Sequence, residues 1–289
     1  MTYEIAVRYF LKTQKDKAEN FRELHHLDHL LILPNAWDVP SARIFEDQGF
    51  PAVATSSAGM MISLGYPDGE SIRIHDFLAA VKRISRVVSV PLSVDAVAGF
   101  GFTPSEVAAS IKHIIESGAV GINIEDFEHA SKKLFPVENQ VKKLKAIKEV
   151  GELVGVPLVI NARTDALRFA EGEEDTRLTE AIDRAKAYRD AGVDCVYPMG
   201  LVKEEQISKF THELNFPVNV MVRKGLPPIQ KLQELGVSRV SFGPSASYAA
   251  MGLLKRASKE ILDKGTYNEL TDGAISYDEL ETLALPKKS

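Results

Sequence analysis

Cysteine is almost missing from this chain: Cys195 is the only one in 289 residues. A disulfide framework is therefore excluded, as is a metal site built from clustered cysteines. A reducing, cytoplasmic home is expected. Long apolar runs are also absent. None approaches the ~18 residues a bilayer span needs, so no membrane association is expected. The start, MTYEIAVRYFLKTQKDKAEN, lacks a cationic stretch followed by a long apolar core, and no signal peptide is expected. Neither charge sign dominates, with Lys+Arg 35 against Asp+Glu 40 and a net charge of -5. That balance gives no general attraction to nucleic acid or to an anionic membrane. There is no Pro-, Gly- or Ser-rich linker and no low-complexity segment. Apolar residues make up 45% of the chain, too many for a disordered one and enough for a large core.

What is present is a recurring unit. Eight short, β-rich apolar runs occur in order: LLILPNA (30–36), PAVATSS (51–57), PLSVDAV (91–97), AVGINIED (119–126), PLVINAR (157–163), VDCVYPM (193–199), PVNVMV (217–222) and VSRVSFG (237–243). They are apolar on consecutive residues, the mark of a strand covered on both faces. The intervening segments have helical spacing. Val107, Ile111, Ile114 and Ile115 share one face, as do Ala181, Ile182, Ala185 and Tyr188. Thr103-Pro104-Ser105-Glu106 has the makings of a capped helix start. Gly49, Gly118, Gly155, Gly192 and Gly236 stand where helices should end. Eight βα units in this length predict an α/β fold, a (β/α)8 TIM-type barrel. No Gly-x-Gly-x-x-Gly follows the first strand, against a doubly wound open sheet. A single domain 1–289 is expected: an N-terminal helix (1–28), the barrel (29–244) and a C-terminal helical tail (245–289).

A barrel of this kind carries its chemistry at the C-terminal ends of its strands. The polar residues there are Asn35 and Asp38, then Thr55, Ser56 and Ser57, then Asp95. Asn123, Glu125 and Asp126 follow on the fourth strand, and Asn161, Arg163, Thr164 and Asp165 on the fifth. Asn219, Arg223, Ser241 and Ser245 complete the set. Asp95 and Glu125 lie on neighbouring strands and can converge. Hard oxygen ligands without His or Cys suit Mg²⁺. Arg163 can clamp a carboxylate or phosphonate. A metal and an arginine around an anionic substrate suit chemistry through an enolate. The same three residues would also serve as a structural ion-pair network. Ser56-Ser57-Ala58-Gly59 offers hydroxyls and N–H groups to an anion, or a plain small-residue turn. Gly99-Phe100-Gly101 permits a sharp turn beside Asp95. Asp38 reads as a helix cap, Trp37 and Cys195 as packing, His25 and His26 as surface, and Asp68 as a turn residue. His129 reads as part of a solvated charged loop that can also close over a substrate.

The ordered set LPNAWDVPSARIFEDQGF, ATSSAGMMISLGYPDGE, VPLSVDAVAGFG, GAVGINIED, INARTDA, AGVDCVYPMGL, PVNVMV and GVSRVSFGP resembles the isocitrate lyase/phosphoenolpyruvate mutase family over roughly residues 30–255. The resemblance implies a (β/α)8 barrel, Mg²⁺, and cleavage or formation of C–C or P–C bonds beside a carboxylate through enolate-like species. It also implies a homo-oligomer, dimer or tetramer, with the C-terminal helices exchanged between subunits. Asp95 would be the direct metal ligand, with Glu125 and Asp68 holding metal-bound water. Ser56, Ser57, Ala58 and Arg163 would bind the small carboxylate or phosphonate substrate, with Asn219 beside them. Two departures stand out. Where many members carry a second acid two residues after the metal-binding Asp, this chain has Val97. The loop after the fourth strand, Phe127-Glu128-His129-Ala130-Ser131-Lys132-Lys133, lacks the catalytic Cys of isocitrate and methylisocitrate lyases. The reading is a C–C lyase or hydrolase of a small 2-oxo or 2-hydroxy carboxylate. P–C chemistry, of mutase or phosphonopyruvate hydrolase type, and a non-catalytic oxo-acid-binding barrel are the alternatives.

Overall fold

Each of the eight apolar runs forms a parallel strand in a computed structural model, which describes residues 13–285. In chain order the strands are β1 (Leu31–Leu33), β2 (Asn35–Ala36), β3 (Val53–Thr55), β4 (Leu92–Asp95), β5 (Gly121–Glu125), β6 (Phe127–Glu128), β7 (Lys133–Leu134), β8 (Val159–Thr164), β9 (Cys195–Pro198), β10 (Asn219–Met221) and β11 (Arg239–Ser241). β1 and β2 are two halves of one barrel strand, parted at Pro34, which has no N–H to give a ladder. The first half pairs with β11 and the second with β3. From there the order runs β3-β4-β5-β8-β9, and β11 pairs with β10. A parallel bridge between Val196 and Val218 joins β9 to β10 and completes the ring. The two-residue strands β6 and β7 are antiparallel to each other and form a small hairpin in the loop after β5.

Apolar periodicity explains the outer layer. Helix Pro104–Glu116 buries Val107, Ile111, Ile114 and Ile115, and Thr103 caps it with a reciprocal Glu106 bond. Helix Glu174–Asp190 buries Leu178, Ala181, Ile182, Ala185 and Tyr188. Asp38 is an N-cap, accepting from Ser41 N at 2.8 Å. At Gly118 the backbone takes φ +103° to turn into β5, and a Cβ there would also meet Ser85 at 2.7 Å.

Helix Gln14–Glu23 closes the N-terminal end of the barrel. Its Phe21 lies so close to Gly121 that a Cβ on the glycine would come within 2.6 Å of the ring. Arg22 pairs with Asp194 at 2.6 Å. His25, expected at the surface, is only 3% exposed. The helix ends just before it, and the chain turns under the barrel, so the imidazole packs edge-on against Phe21 at 4.9 Å and bonds Phe21 O at 2.8 Å. His26 is exposed. After β11 come helices Ser245–Lys264, Asn268–Thr271 and Tyr277–Leu283. The last lies beside helix Val39–Asp47. The tail leaves Tyr248, Met251, Leu254, Leu262, Tyr267 and Tyr277 exposed. Residues 1–12 and 286–289, the outer ends of the expected N-terminal helix and C-terminal tail, lie outside the described residues. Among the described residues no helix is long and apolar enough to cross a membrane.

Candidate active site

The strand ends surround a cavity of about 230 Å³ at the C-terminal mouth of the barrel. Asp95, at the end of β4, is held from three neighbours. Its Oδ2 accepts from Ser57 N at 3.1 Å and its Oδ1 from Asn123 Nδ2 at 2.9 Å, while its own N–H donates to Thr55 Oγ1 at 3.0 Å. Asn123 Oδ1 accepts in turn from Asn161 Nδ2 at 2.9 Å. The result is a directed ladder, Asn161 to Asn123 to Asp95, across β8, β5 and β4. It ends at an acceptor: Asn161 Oδ1 is buried with no partner, as is Asn219 Oδ1 further round the cavity. Buried amide oxygens left unpaired are costly, and signal a donor that belongs to a bound group or to water.

Ser56, Ser57, Ala58, Asp68, Asp95, Arg163 and Asn219 all line this cavity, so the structure brings these expected site residues together. Ser56 is the N-cap of helix Ser57–Ser63, accepting from Gly59 N at 3.2 Å. With Ser57 N on Asp95, the N–H of Ala58 is the open donor of that turn. Asp68 accepts from Gly69 N at 3.0 Å and sits 3.5 Å from Ser57 Oγ. Glu125 does not line the cavity. It is 3% exposed and turned behind Arg163, with Oε2 2.8 Å from Arg163 Nη1 and Oε1 bonded to His129 Nε2. The ion-pair arrangement is thus present alongside the cavity. His129 is not a solvated loop residue. The β6–β7 hairpin folds it onto Glu125 and against Gly69.

Arg163 is held on a second side by Asp165, which takes Nε at 2.7 Å and Nη2 at 2.9 Å. A guanidinium has five N–H groups, so donors remain on both terminal nitrogens. Asp165 is itself anchored: its N–H donates to Asp126 Oδ1 at 2.9 Å, and Asp126 Oδ2 accepts from Tyr188 Oη at 2.7 Å and Arg184 Nη1 at 3.2 Å. Burial pulls the Arg163 guanidinium down, but Glu125 and Asp165 outweigh it and hold it well above its ordinary value. Burial pushes the Glu125 carboxyl up, with Arg163 and His129 pulling the other way. The Glu125 bond raises His129. Cys195 is fully buried inside β9, and burial pushes its thiol up to about 12.

The turn after β4 is strained. Val97 at φ +52° and Phe100 at φ +54° both occupy the left-handed region, which a β-branched side chain avoids. The turn is held by Glu125 N donating to Val97 O at 2.8 Å. A Cβ on Gly99 would lie 2.7 Å from Val107, so only glycine fits there. Part of the wall is less polar, with Tyr197, Met199, Met221, Pro244 and Tyr248. Arg168 and Arg239 also line the cavity and were not foreseen from the sequence. The signal for Arg239 was there: a charged residue inside the strand-like run VSRVSFG (237–243).

Among the described residues no three His, Cys, Asp or Glu side chains converge as a complete metal cage. One oriented carboxylate, a nearby second one and unpaired amide oxygens fit a hard cation that keeps most of its waters, as Mg²⁺ does.

Known proteins with the same architecture put this geometry in context. Residues 21–262 match the family model described as Phosphoenolpyruvate phosphomutase. The chain is 30% identical over 293 residues to 2-methylisocitrate lyase of Halalkalibacterium halodurans, covering 94% of each. A candidate lyase/mutase from Burkholderia cenocepacia J2315 superposes with a TM-score of 0.85 at 33% identity, covering 93% of this chain and 95% of that one. Oxaloacetate acetylhydrolase in complex with its product oxalate superposes with a TM-score of 0.81 at 26% identity, covering 93% of both chains.

Proposed function

The chain belongs to the isocitrate lyase/phosphoenolpyruvate mutase family, and we propose that it is a Mg²⁺-dependent lyase or hydrolase that cleaves a C–C bond of a small 2-oxo or 2-hydroxy carboxylate. The observation that carries this reading is the oriented Asp95 carboxylate facing a small cavity that Arg163 also lines. Asp95 would hold the cation directly, and Asp68 would hold its water. Glu125 serves mainly by fixing Arg163, and reaches the cation only through intervening water. Bound there, the cation would supply Lewis acidity to a substrate oxo or hydroxy group.

The chain's own groups do the rest. The Ala58 N–H and the Ser57 hydroxyl meet the substrate's carboxylate. Arg163, held rigidly by Asp165 and Glu125, directs its remaining N–H groups at the oxygen where enolate charge develops. Because the arginine is already clamped, little reorganisation accompanies the reaction. Tyr197, Met199, Met221 and Tyr248 give the carbon skeleton an apolar wall, and the cavity is smaller than a drug-sized pocket. A cysteine acid of the isocitrate lyase kind is missing from the loop after β5. Cys195, buried and with its thiol pushed up to about 12, does not replace it. The enzyme is therefore not an orthodox isocitrate lyase. The exposed apolar side chains of the C-terminal helices support a homo-oligomer, dimer or tetramer, and a single, buried cysteine suits a reducing cytoplasm.

The test is to incubate the protein with Mg²⁺ and a panel of 2-oxo and 2-hydroxy acids, following products by proton NMR and phosphonates by phosphorus NMR. Cleavage of one acid that Asp95→Ala abolishes is expected. Unchanged turnover in Asp95→Ala sinks the assignment. Turnover confined to phosphonates replaces it with P–C chemistry.

A further inference from the structure

The loop that carries Asp68 has little of its own to hold it at the cavity. It is pinned at its start, where Tyr66 N donates to Met61 O at 2.8 Å. It is pinned again at its end, where Tyr66 Oη and Arg73 Nε reach Asp76 Oδ2 at 2.9 and 2.8 Å. Between these points Asp68 is exposed and accepts from its own neighbour, Gly69 N. Its 3.5 Å contact with Ser57 Oγ is long for an O–H···O bond.

One side chain of this loop reaches further. Glu70 is half-buried and accepts from Phe100 N at 2.6 Å, on the turn after β4. The Ala98 N–H of the same turn also acts on its carboxylate. Gly69 lets the loop come this close. It takes φ +110°, and a Cβ there would lie 3.1 Å from His129 Nδ1 on the β6–β7 hairpin.

The turn is a firm place to dock. Gly99 N donates to Ala96 O at 2.9 Å, Ser110 Oγ donates to Phe100 O at 3.1 Å, and the Phe100 ring packs on Phe77 at 5.0 Å. Lys143, fully buried on helix Val137–Leu153, donates to Gly101 O at 3.4 Å, with its Nζ 3.5 Å from the Phe135 ring centre. Among the described residues neither Glu70 nor Lys143 has an ion-pair partner. Both charges are spent on the backbone of one turn, the acid on an N–H and the ammonium on a carbonyl. Charge-assisted bonds of this kind are about twice as strong as neutral ones.

We propose that Glu70 is a positioning residue: it docks the Asp68 loop on the turn that follows Asp95, and so sets the separation of the two carboxylates offered to the cation. The inference rests on Asp95 and Asp68 serving that cation, but not on which bond is cleaved. Glu70 does not line the cavity and acts through Asp68.

Mg²⁺ binding to the full chain is measured by calorimetry for wild type, Glu70→Ala, Glu70→Gln, Asp68→Asn and the double variant Asp68→Asn/Glu70→Ala. Amide exchange is followed in the same proteins without metal. Glu70→Ala should weaken Mg²⁺ about tenfold, the low end for groups that orient a metal site from outside its ligands. Its Phe100 N–H should exchange about ten- to a hundredfold faster, the worth of a hydrogen bond to a charged group. Glu70→Gln keeps an acceptor oxygen and should hold Mg²⁺ within about threefold of wild type. With Asp68→Asn in place, Glu70→Ala should cost less than about twofold more, because residues that act through one another are not additive. Glu70→Met has the shape of the Gln variant without its acceptor, and replaces Glu70→Ala if that variant does not fold. Mg²⁺ affinity within about twofold of wild type in Glu70→Ala overturns the proposal, as does a full additive loss in the double variant. If wild type takes up no Mg²⁺, the cation reading of the site fails and exchange alone decides the docking. Unchanged exchange at Phe100 and across residues 68–72 in Glu70→Ala then overturns it, and faster exchange in both supports it.

Discussion

His25 should make the protein acid-sensitive in a way that one substitution removes. Burial lowers the imidazole most, and the positive Arg239, His26 and Arg22 lower it further, against a smaller upward pull from the Phe21 carbonyl. The net position is about 3, from an ordinary 6.5. The folded-state value is below the unfolded one, so the unfolded chain takes the proton first. Stability from this residue is complete above pH 6.5 and is lost as pH falls from there toward 3. Between pH 8 and pH 5 the loss is about 2 kcal/mol, since protonating the unfolded imidazole 1.5 units below its pKa is worth roughly 1.36 kcal/mol per unit. Below pH 3 it would reach about 5 kcal/mol. Urea unfolding of wild type and His25→Gln at pH 5, 6, 7 and 8 reads this directly, because the other acidic groups are common to both proteins. The wild-type stability should fall about 2 kcal/mol more than the variant's between pH 8 and 5. Parallel lines would refute the buried, neutral imidazole.

Two further changes test how the site is supported. Tyr188→Phe removes one donor from the fully buried Asp126 and should cost about 1–3 kcal/mol in urea unfolding. It should also lower turnover through Asp165 and Arg163, and an unchanged urea midpoint would mean that Asp126 does not depend on the phenol. Val97→Asp places a carboxylate two residues after Asp95, in a left-handed conformation that Asp tolerates better than Val. Mg²⁺ affinity by calorimetry should rise, and no gain would show that this position does not reach the cation.

Much of the fold could be read because its strands are apolar on consecutive residues and its helices carry clean caps. The Thr103 and Asp38 caps form as expected, and the eight runs appear as strands in order. Strand-end position was enough to gather Asp95, Arg163, Ser57 and Asn219 at one cavity. Three features were not readable that way. Glu125 sits at the right level, but β5 and β8 pair it directly with Arg163, and ion pairing turns it away from the cavity. His25 follows a polar helix, and its burial comes from a chain turn beneath the barrel that no local pattern encodes. Arg239 stands between Ser238 and Val240, and only the closed ring shows that its side chain points inward.

The ladder from Asn161 through Asn123 to Asp95 has a consequence for the smallest possible change. Each amide presents its NH₂ toward Asp95, so the orientation of both asparagines is set by a pure acceptor at one end. Asp95→Asn keeps the shape but puts an NH₂ where that acceptor stood. Because Ser57 N still calls for the oxygen on its own side, that NH₂ faces Asn123, and two side chains on two other strands must flip to accept it. An isosteric exchange at one carboxylate would redistribute donors and acceptors across half the mouth of the barrel, so Asp95 acts as a polarity standard for the cavity as well as a candidate ligand.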